Sequence, residues 1–372
     1  MIYLDNAATT PLTDPVFKKM TEVMALQLAN PSSIHAHGRL ANQKLREYRQ
    51  TIADLLNTSA NHIIFTSGGT ESNNTAIKGY ALAHQDQGKH LITTAIEHHS
   101  VLHTVEYLEK QFGFEVTYIK PVNGVIHTAD VVAALRPDTI LVSMMYANNE
   151  TGDLLPIAEV GKMLEQHPAA FHVDAVQVAG KIALEPEKLG IDFLSLSAHK
   201  FHGPKGVGVL YQNQQHFDPL LHGGEQENKH RASTENLIGI AGMVQALQDS
   251  CDKLSDNWAY VTSLANLFLK ELSGLDYYLN SSEGALPHVL NIGFPNANNS
   301  VLLTQLDLQG YSVSTGSACT AGTVDPSHVL AAKYGQESHR LKESIRISFS
   351  ELNTPEEVTG LAHLLQSLLG EN

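Results

Sequence analysis

The feature that most constrains the fold is an alternation of short β-rich runs with helical patterns between about residues 60 and 212. Helical patterns occupy most of the gaps, as at residues 101–111 and 157–166. The alternation predicts an α/β fold with a mainly parallel sheet and helices on both faces. Ligands of such sheets bind at the carboxyl ends of the strands. The β-rich runs lie at residues 62–65, 90–95, 115–119, 139–145, 170–173, 193–196 and 206–211.

The last third of the chain has a different pattern and predicts a smaller α+β domain. A long helical stretch at residues 254–272 precedes strand patterns at residues 288–294, 312–315 and 345–349. The final helix is predicted to begin at Thr354 as N-cap, with Glu357 completing a capping box. We expect a large domain over residues 15–255, and a small domain that joins residues 1–14 to residues 256–372.

Charge and cysteine content narrow the class of protein. The 372-residue chain has a formal net charge of −15, which opposes a direct nucleic-acid ligand because phosphate backbones bind basic surfaces. No apolar run is long enough to span a bilayer, and no signal-peptide pattern is visible. Cys251 and Cys319 are the only cysteines, too few for a disulfide framework. We therefore expect a cytoplasmic protein with no membrane partner.

Three motifs lie at or beside predicted strand ends. Lys200 follows one strand, where an apolar core favours the neutral amine that Schiff-base chemistry needs; a lysine reaching solvent is the structural alternative. Asp174 ends the preceding strand and can bond a pyridine nitrogen or cap a helix. The Gly68-Gly69 turn opens a helix whose free amides favour a phosphate, although such turns are often purely structural. Together these are the parts that a pyridoxal 5'-phosphate (PLP) site requires.

Further motifs cover nearly the whole chain, at residues 3–11, 30–33, 68–74, 97–98, 148–150, 234–236 and 316–319. With the Asp174 and Lys200 motifs, they closely resemble the cysteine desulfurases of the NifS/IscS type, in the class V aminotransferase superfamily. The resemblance implies fold type I of the PLP-dependent transferases. It also implies a homodimer with its sites at the subunit interface, and the conversion of L-cysteine to L-alanine.

The resemblance implies roles for individual residues. Lys200 matches the lysine that holds PLP and moves protons, and Asp174 matches the partner of the ring nitrogen. Arg346 matches the arginine that grips the substrate carboxylate, with Asn149 beside it; its structural alternative is a surface ion pair. His98 matches a histidine stacked on the ring, an acid–base helper, and His99 is expected to be a bystander. Further cofactor contacts are implied for Gln177, Asn149, Gly69, Thr70, Ser197 and His199, and for Thr234 of the second subunit.

Cys319 decides between the possible reactions. It lies in a run of small residues, 314–322, that predicts an exposed and mobile loop within a segment of about residues 314–335. The resemblance implies that Cys319 carries the sulfur as a persulfide to an acceptor protein, either a tRNA-thiolating enzyme or an iron–sulfur scaffold. Because the chain ends soon after its last helix, a tRNA-thiolating enzyme is the favoured acceptor. Ser233 and His230 depart from the glycine and the arginine that the family usually has there.

Other classes of protein fit less well. A selenocysteine lyase or a class V aminotransferase would keep the cofactor, but transamination has no use for Cys319. A non-enzymatic family member is disfavoured because Lys200, Asp174 and Cys319 are all present. The 20 histidines fall in no recognised metal-ligand spacing, so no metal is expected. No Gly-x-Ser-x-Gly hydrolase motif occurs.

Overall fold

The computed structural model describes residues 1–316 and 326–370. The strands of this part of the chain are β1 Ile2–Tyr3, β2 Ile63–Thr66, β3 His90–Thr94, β4 Glu115–Ile119, β5 Thr139–Met145, β6 Ala170–Asp174, β7 Phe193–Ser197, β8 Gly208–Gln212, β9 Tyr278–Leu279, β10 Val289–Gly293, β11 Tyr311–Ser312 and β12 Ser344–Ser348.

The α-helices are α1 Asp14–Ala25, α2 Ala36–Leu55, α3 Gly69–Asn74, α4 Tyr80–Ala83, α5 His99–Phe112, α6 Thr128–Ala134, α7 Ile157–Leu164, α8 Leu237–Asp252, α9 Leu254–Glu271, α10 Asn299–Leu308, α11 His328–Tyr334, α12 Arg340–Glu343 and α13 Pro355–Leu369. A π-helical segment, Thr75–Gly79, joins α3 to α4. Short 3-10 turns occur at Ala60–His62, Ala198–Lys200 and Gln226–Lys229.

The central sheet has seven strands in the order β2-β8-β7-β6-β5-β3-β4. Strands β3 to β7 run parallel to one another, whereas β8 is antiparallel to both β7 and β2. Strands β5 to β8 are buried along their whole length, as expected of a sheet that helices cover on both faces. The predicted α/β fold with a mainly parallel sheet is confirmed.

Apolar side chains alternate between the two faces of this sheet and build two core clusters. Leu194 of β7 packs with residues of α2, α7 and α8 on one face. Phe193, its neighbour, packs with residues of the π-helical segment, α4 and α5 on the other face. Because successive strand residues point to opposite faces, a fully apolar strand serves both cores at once.

A second region has its own core around a three-stranded antiparallel sheet, β12-β10-β9. This core includes Phe268 of α9, Phe349 directly after β12, Leu361 of α13, and Leu4 from the start of the chain. Strand β1 pairs with β11, so the first residues lie against the last third. The capping box of α13 is confirmed, since Thr354 and Glu357 each accept a bond from the other's backbone.

The strand predicted at residues 312–315 is shorter than expected. Pairing in β11 ends at Ser312, and Ser314 then forms an isolated bridge with Arg346. Gly316 follows with φ of +153°, a conformation that L side chains rarely adopt.

Candidate active site

A cavity of about 220 Å³ lies at the carboxyl ends of β5, β6 and β7. The structure brings many of the predicted site residues to it: Gly69, Thr70, His98, Asn149, Asp174, Gln177, Ser197, His199, Lys200 and Arg346. Thr234 is not among the lining residues and is exposed on its own chain. Cys319 lies outside the described residues.

Lys200 ends a 3-10 turn directly after β7. Its Nζ donates to the carbonyl oxygens of Ala7 and Ala8 at 2.5 and 2.9 Å. The N-terminal segment thus passes over the strand ends and places its backbone against the lysine. His199 precedes Lys200, and burial together with the Lys200 charge lowers the pKa of the His199 imidazole to about 4. The His199 ring is therefore neutral near pH 7.

Asp174 is the last residue of β6 and is buried. Its Oδ1 accepts from the backbone N–H of Val176 at 3.0 Å, and its Oδ2 accepts from Asn73 Nδ2 at 2.7 Å. The bond to Val176 forms an Asx turn, and no helix begins at Asp174. Each carboxylate oxygen keeps a lone pair for a further cationic donor.

The glycine turn between β2 and α3 closes tightly over the cavity. Gly68 has φ of +147°, and a Cβ on Gly69 would lie 2.7 Å from Val176 Cγ2. The backbone can follow this path only without side chains at these positions. The amides of the first turn of α3 have no carbonyl within the helix to bond, so they suit an anion.

Several buried polar atoms of the cavity residues have no hydrogen-bond partner within residues 1–316 and 326–370. They are Asn73 Oδ1, Asn149 Oδ1, Gln177 Oε1 and Arg346 Nε. Buried polar atoms are nearly always paired, so these atoms mark the place of a polar ligand. The cavity is also larger than the roughly 150 Å³ that accepts benzene. A small aromatic ring with polar substituents and a phosphate, as in PLP, fits this set of residues.

Arg346 lies in the middle of β12 and is only 1 % exposed. Its Nη2 donates to Asp5 Oδ1 at 2.7 Å, and its Nη1 donates to the Asn149 carbonyl at 2.9 Å. The ion pair that was the structural alternative does form, but it is buried rather than at the surface. A guanidinium has five N–H groups, so Arg346 can hold Asp5 and still present donors to the cavity.

His98 is the N-cap of α5. Its Nδ1 accepts from the backbone N–H of Ser100 at 3.1 Å and lies 2.8 Å from Ser100 Oγ. Burial lowers the pKa of the His98 imidazole. His99 does not line the cavity; its ring lies 4.7 Å from that of His328 and 4.9 Å from that of His103.

Three residues that support this site have no role predicted from the sequence. Asn73 and Ser100 line the cavity, and Lys181 donates to the carbonyls of Gln177 and Lys200 at 2.9 and 3.1 Å. The sequence gives a weak indication that Asn73 belongs to the site, because Asn73 lies one helical turn after Gly69 and so on the same face of α3. The roles of Ser100 and Lys181 depend on long-range contacts that the sequence does not show.

The segment that leads to Thr234 has an unusual backbone. Glu227, Asn228 and Lys229 all have positive φ, and Ser233 has φ of +92°. The Glu227 carboxylate, itself buried, holds the segment through a two-point pair with Arg49 at 2.6 and 2.7 Å. The side chain of Thr234 thus projects from a segment that the rest of the chain holds in place.

Metal-ligand clusters and membrane-spanning helices are both absent from residues 1–316 and 326–370. No group of three His, Cys, Asp or Glu side chains is arranged there to hold a metal ion. None of the helices in these ranges is both long and apolar enough to cross a bilayer.

Comparisons with known proteins point to one family. The model of the family described as Aminotransferase class-V matches residues 2–361. A protein of Dictyoglomus turgidum named cysteine desulfurase IscS is 46% identical over 337 residues, covering 89% of this chain and 85% of the relative. A protein of the same name from Methanosarcina thermophila is 41% identical over 373 residues, covering 99% and 92%.

Solved structures agree with this result. A structure titled "NifS-like protein" superimposes with a TM-score of 0.93 at 36% identity and covers 100% of both chains. Another, titled "SspA in complex with cysteine", has a TM-score of 0.84 at 34% identity and covers 95% of this chain and 100% of the other. The chain therefore belongs to the class V aminotransferase family and, within it, to the cysteine desulfurases of the NifS/IscS type.

Proposed function

We propose that this enzyme uses PLP to remove the sulfur of L-cysteine, that Cys319 receives the sulfur as a persulfide, and that L-alanine leaves. One observation carries the proposal: Lys200, Asp174 and Arg346 meet in a single cavity, beside buried polar atoms that lack a partner in the described part of the chain. A structure of a related protein is titled as a complex with cysteine, which supports the choice of substrate.

Different cavity residues suit different parts of the cofactor. The amides of Gly69 and Thr70, with Ser197 and His199, suit the phosphate. Asp174 suits the ring nitrogen, because an anion there favours the protonated ring. Gln177 and Asn149 supply the polar surround of the ring, and His98 lies alongside it. When bound, PLP draws electrons from the substrate Cα and makes the bond from Cβ to sulfur easier to break.

Arg346 orients the substrate. Its guanidinium is held by Asp5 and by the Asn149 carbonyl, so it is preorganised and loses little freedom when it binds the substrate carboxylate. Lys200, held by the Ala7 and Ala8 carbonyls, is placed to take the proton of the substrate Cα and to return a proton later. Proton transfer of this kind requires direct reach.

The sulfur transfer balances without an outside oxidant. The Cys319 thiolate attacks the substrate sulfur, an S–S bond forms, and the Cβ–S bond breaks. The electron pair of that bond stays with the substrate carbon, which gains a proton and leaves as the methyl group of alanine. A second thiol or an acceptor protein must then take the persulfide sulfur.

The proposal also covers the dimer, the sulfur acceptor, the compartment and the domains. Thr234 reaches the phosphate of a second subunit, so the enzyme is a homodimer. The acceptor is a protein, with a tRNA-thiolating enzyme and an iron–sulfur scaffold as the candidates. A reducing compartment, the cytoplasm, keeps Cys319 free to react. The proposed large domain comprises residues 15–255, and the proposed small domain joins residues 1–14 to residues 256–372.

The function is tested by alanine and sulfide formation from L-cysteine under reducing conditions. We expect the wild type and Cys251→Ala to form both products, and Cys319→Ala to keep the cofactor absorbance and form neither. Cys251 is the matched control because burial raises the pKa of its thiol to about 11. A fully active Cys319→Ala variant would instead favour a lyase or an aminotransferase.

A further inference from the structure

A chain of hydrogen bonds runs along the cavity wall from Asp174 to His98. Asn73 Nδ2 lies 2.7 Å from Asp174 Oδ2 and 2.9 Å from Ser100 Oγ. Ser100 Oγ lies 2.8 Å from His98 Nδ1, and the backbone N–H of Ser100 points at the same Nδ1 from 3.1 Å. All four residues line the cavity.

The direction of each hydrogen bond in this chain is determined. An amide NH₂ group has two hydrogens and no lone pair to offer, so Asn73 donates to both Asp174 and Ser100. The opposite amide orientation would place an oxygen against the Asp174 carboxylate. The backbone N–H of Ser100 can only donate, so Nδ1 of His98 is an acceptor. Ser100 Oγ accepts from Asn73 and therefore directs its single proton to Nδ1, which receives two donors.

The two donors to Nδ1 determine the protonation state of the His98 ring. A neutral imidazole carries one proton, and Nδ1 acts as the acceptor, so the proton is on Nε2. Protonation of Nδ1 would require both donors to turn away. Among the described residues, the charged and titratable groups that act on the ring include Asp174, which favours the imidazolium, and Lys200, His328 and His103, which oppose it. Burial opposes it most strongly.

We propose that Asn73 and Ser100 are positioning residues that hold His98 as the neutral Nε2–H tautomer, so that the ring offers a hydrogen bond to the reacting groups and leaves proton transfer to Lys200. The proposal rests on the function proposed above, which places the reacting atoms in this cavity. It replaces the acid–base role expected for His98 with that of a fixed hydrogen-bond donor. Asp174 thereby orients both the ring nitrogen of the cofactor and, through Asn73 and Ser100, the histidine beside it.

The tautomer is measured by NMR on the ¹⁵N-histidine-labelled holoenzyme without substrate. The His98 signals are assigned by their loss in His98→Gln. At pH 7.5 we expect a protonated Nε2 and an unprotonated Nδ1. A protonated Nδ1, or an imidazolium, overturns the proposal. Because no turnover is involved, this result is independent of whether the enzyme desulfurates cysteine.

The role of the Ser100 hydroxyl is measured with Ser100→Ala and Ser100→Thr. Loss of one hydrogen bond to Nδ1 is expected to raise the titration midpoint of His98 by about one pH unit in Ser100→Ala. Ser100→Thr keeps the hydroxyl and is expected to retain the wild-type midpoint. Equal midpoints in all three proteins contradict the proposal. If Ser100→Ala fails to fold or to hold PLP, the wild-type tautomer still decides the question.

Discussion

Ser233 has a backbone conformation that glycine adopts more easily than serine. Its φ of +92° costs an L-residue about 1–2 kcal/mol. The resemblance to the NifS/IscS type implies a glycine at this position, beside Thr234, which we propose reaches a second subunit. The residue that departs from the family motif is therefore also one that carries backbone strain, and the segment tolerates it because Glu227 and Arg49 anchor the preceding residues.

Ser233→Gly is expected to raise the free energy of unfolding by about 0.5–1 kcal/mol, because relief of strain exceeds the greater flexibility of glycine in the unfolded chain. Urea denaturation at pH 7.5 measures the change. Ser32→Gly is the control, since Ser32 is exposed and has no positive φ. Destabilisation of both variants by the same amount would show that Ser233 is not strained.

Part of the site is predictable from the chemistry of single side chains and their positions in the sequence. Lys200 and Asp174 were found because each combines an unusual side chain with a strand end, and the position of a strand end is visible in the sequence. Asn73, Ser100 and Lys181 were not found, because their partners are set by tertiary contacts. Asn73 and Asp174, for example, lie 101 residues apart in the sequence.

At the scale of elements, Lys181 joins the turn after β6 to the turn after β7. Its ammonium donates to the carbonyl oxygens of Gln177 and Lys200, so the two turns that line the cavity share one partly buried donor. Desolvation lowers the pKa of Lys181 from 10.5 to about 8. The charged form of Lys181 is therefore less favourable in the folded chain than in water.

Lys181→Met is expected to change how stability depends on pH. Between about pH 8 and pH 10.5 the unfolded chain holds a proton on Lys181 that the folded chain lacks, so the contribution of Lys181 to the free energy of unfolding rises with pH in this window. The wild type should therefore gain up to about 3 kcal/mol relative to the variant across it.

Denaturation of both proteins near pH 8 and near pH 10 measures this gain. Lys188→Met is the control, since the Lys188 side chain is 75% exposed. A constant difference between wild type and Lys181→Met at the two pH values would mean that Lys181 titrates normally in the fold.

Element types were predicted more accurately than element ends. Strands β4 and β5 have the predicted bounds, and each of the other predicted strands of the large sheet overlaps an observed one. The π-helical segment after α3 and the short 3-10 turn that carries Lys200 were not predicted. Both depend on how neighbouring elements pack, and side-chain periodicity does not record that.

At the scale of the whole molecule, the exposed surface of one chain includes large apolar side chains. Phe17 and Met24 of α1 are 64% and 58% exposed, and they lie seven residues apart, on one face of the helix; Ile34 is 90% exposed. Exposed apolar surface of this kind is typical of an interface. It supports the proposed homodimer, in which Thr234 completes the phosphate site of the other subunit.

The dimer is tested by light scattering. We expect a mass of twice the 40.5 kDa chain for the wild type. Phe17→Glu combined with Ile34→Glu should lower the mass and weaken PLP retention, because the phosphate site would lose Thr234. Met163→Glu is the control, an exposed apolar residue on α7. A wild-type monomer that holds PLP fully would contradict the shared site.

The most direct test of sulfur transfer to Cys319 is mass spectrometry of the holoenzyme after one equivalent of ³⁴S-labelled L-cysteine, without reductant. The account predicts one labelled sulfur atom on the Cys319 peptide for each alanine released, and none on the Cys251 peptide. Alanine release without sulfur on Cys319, or with the sulfur on Cys251, would contradict it.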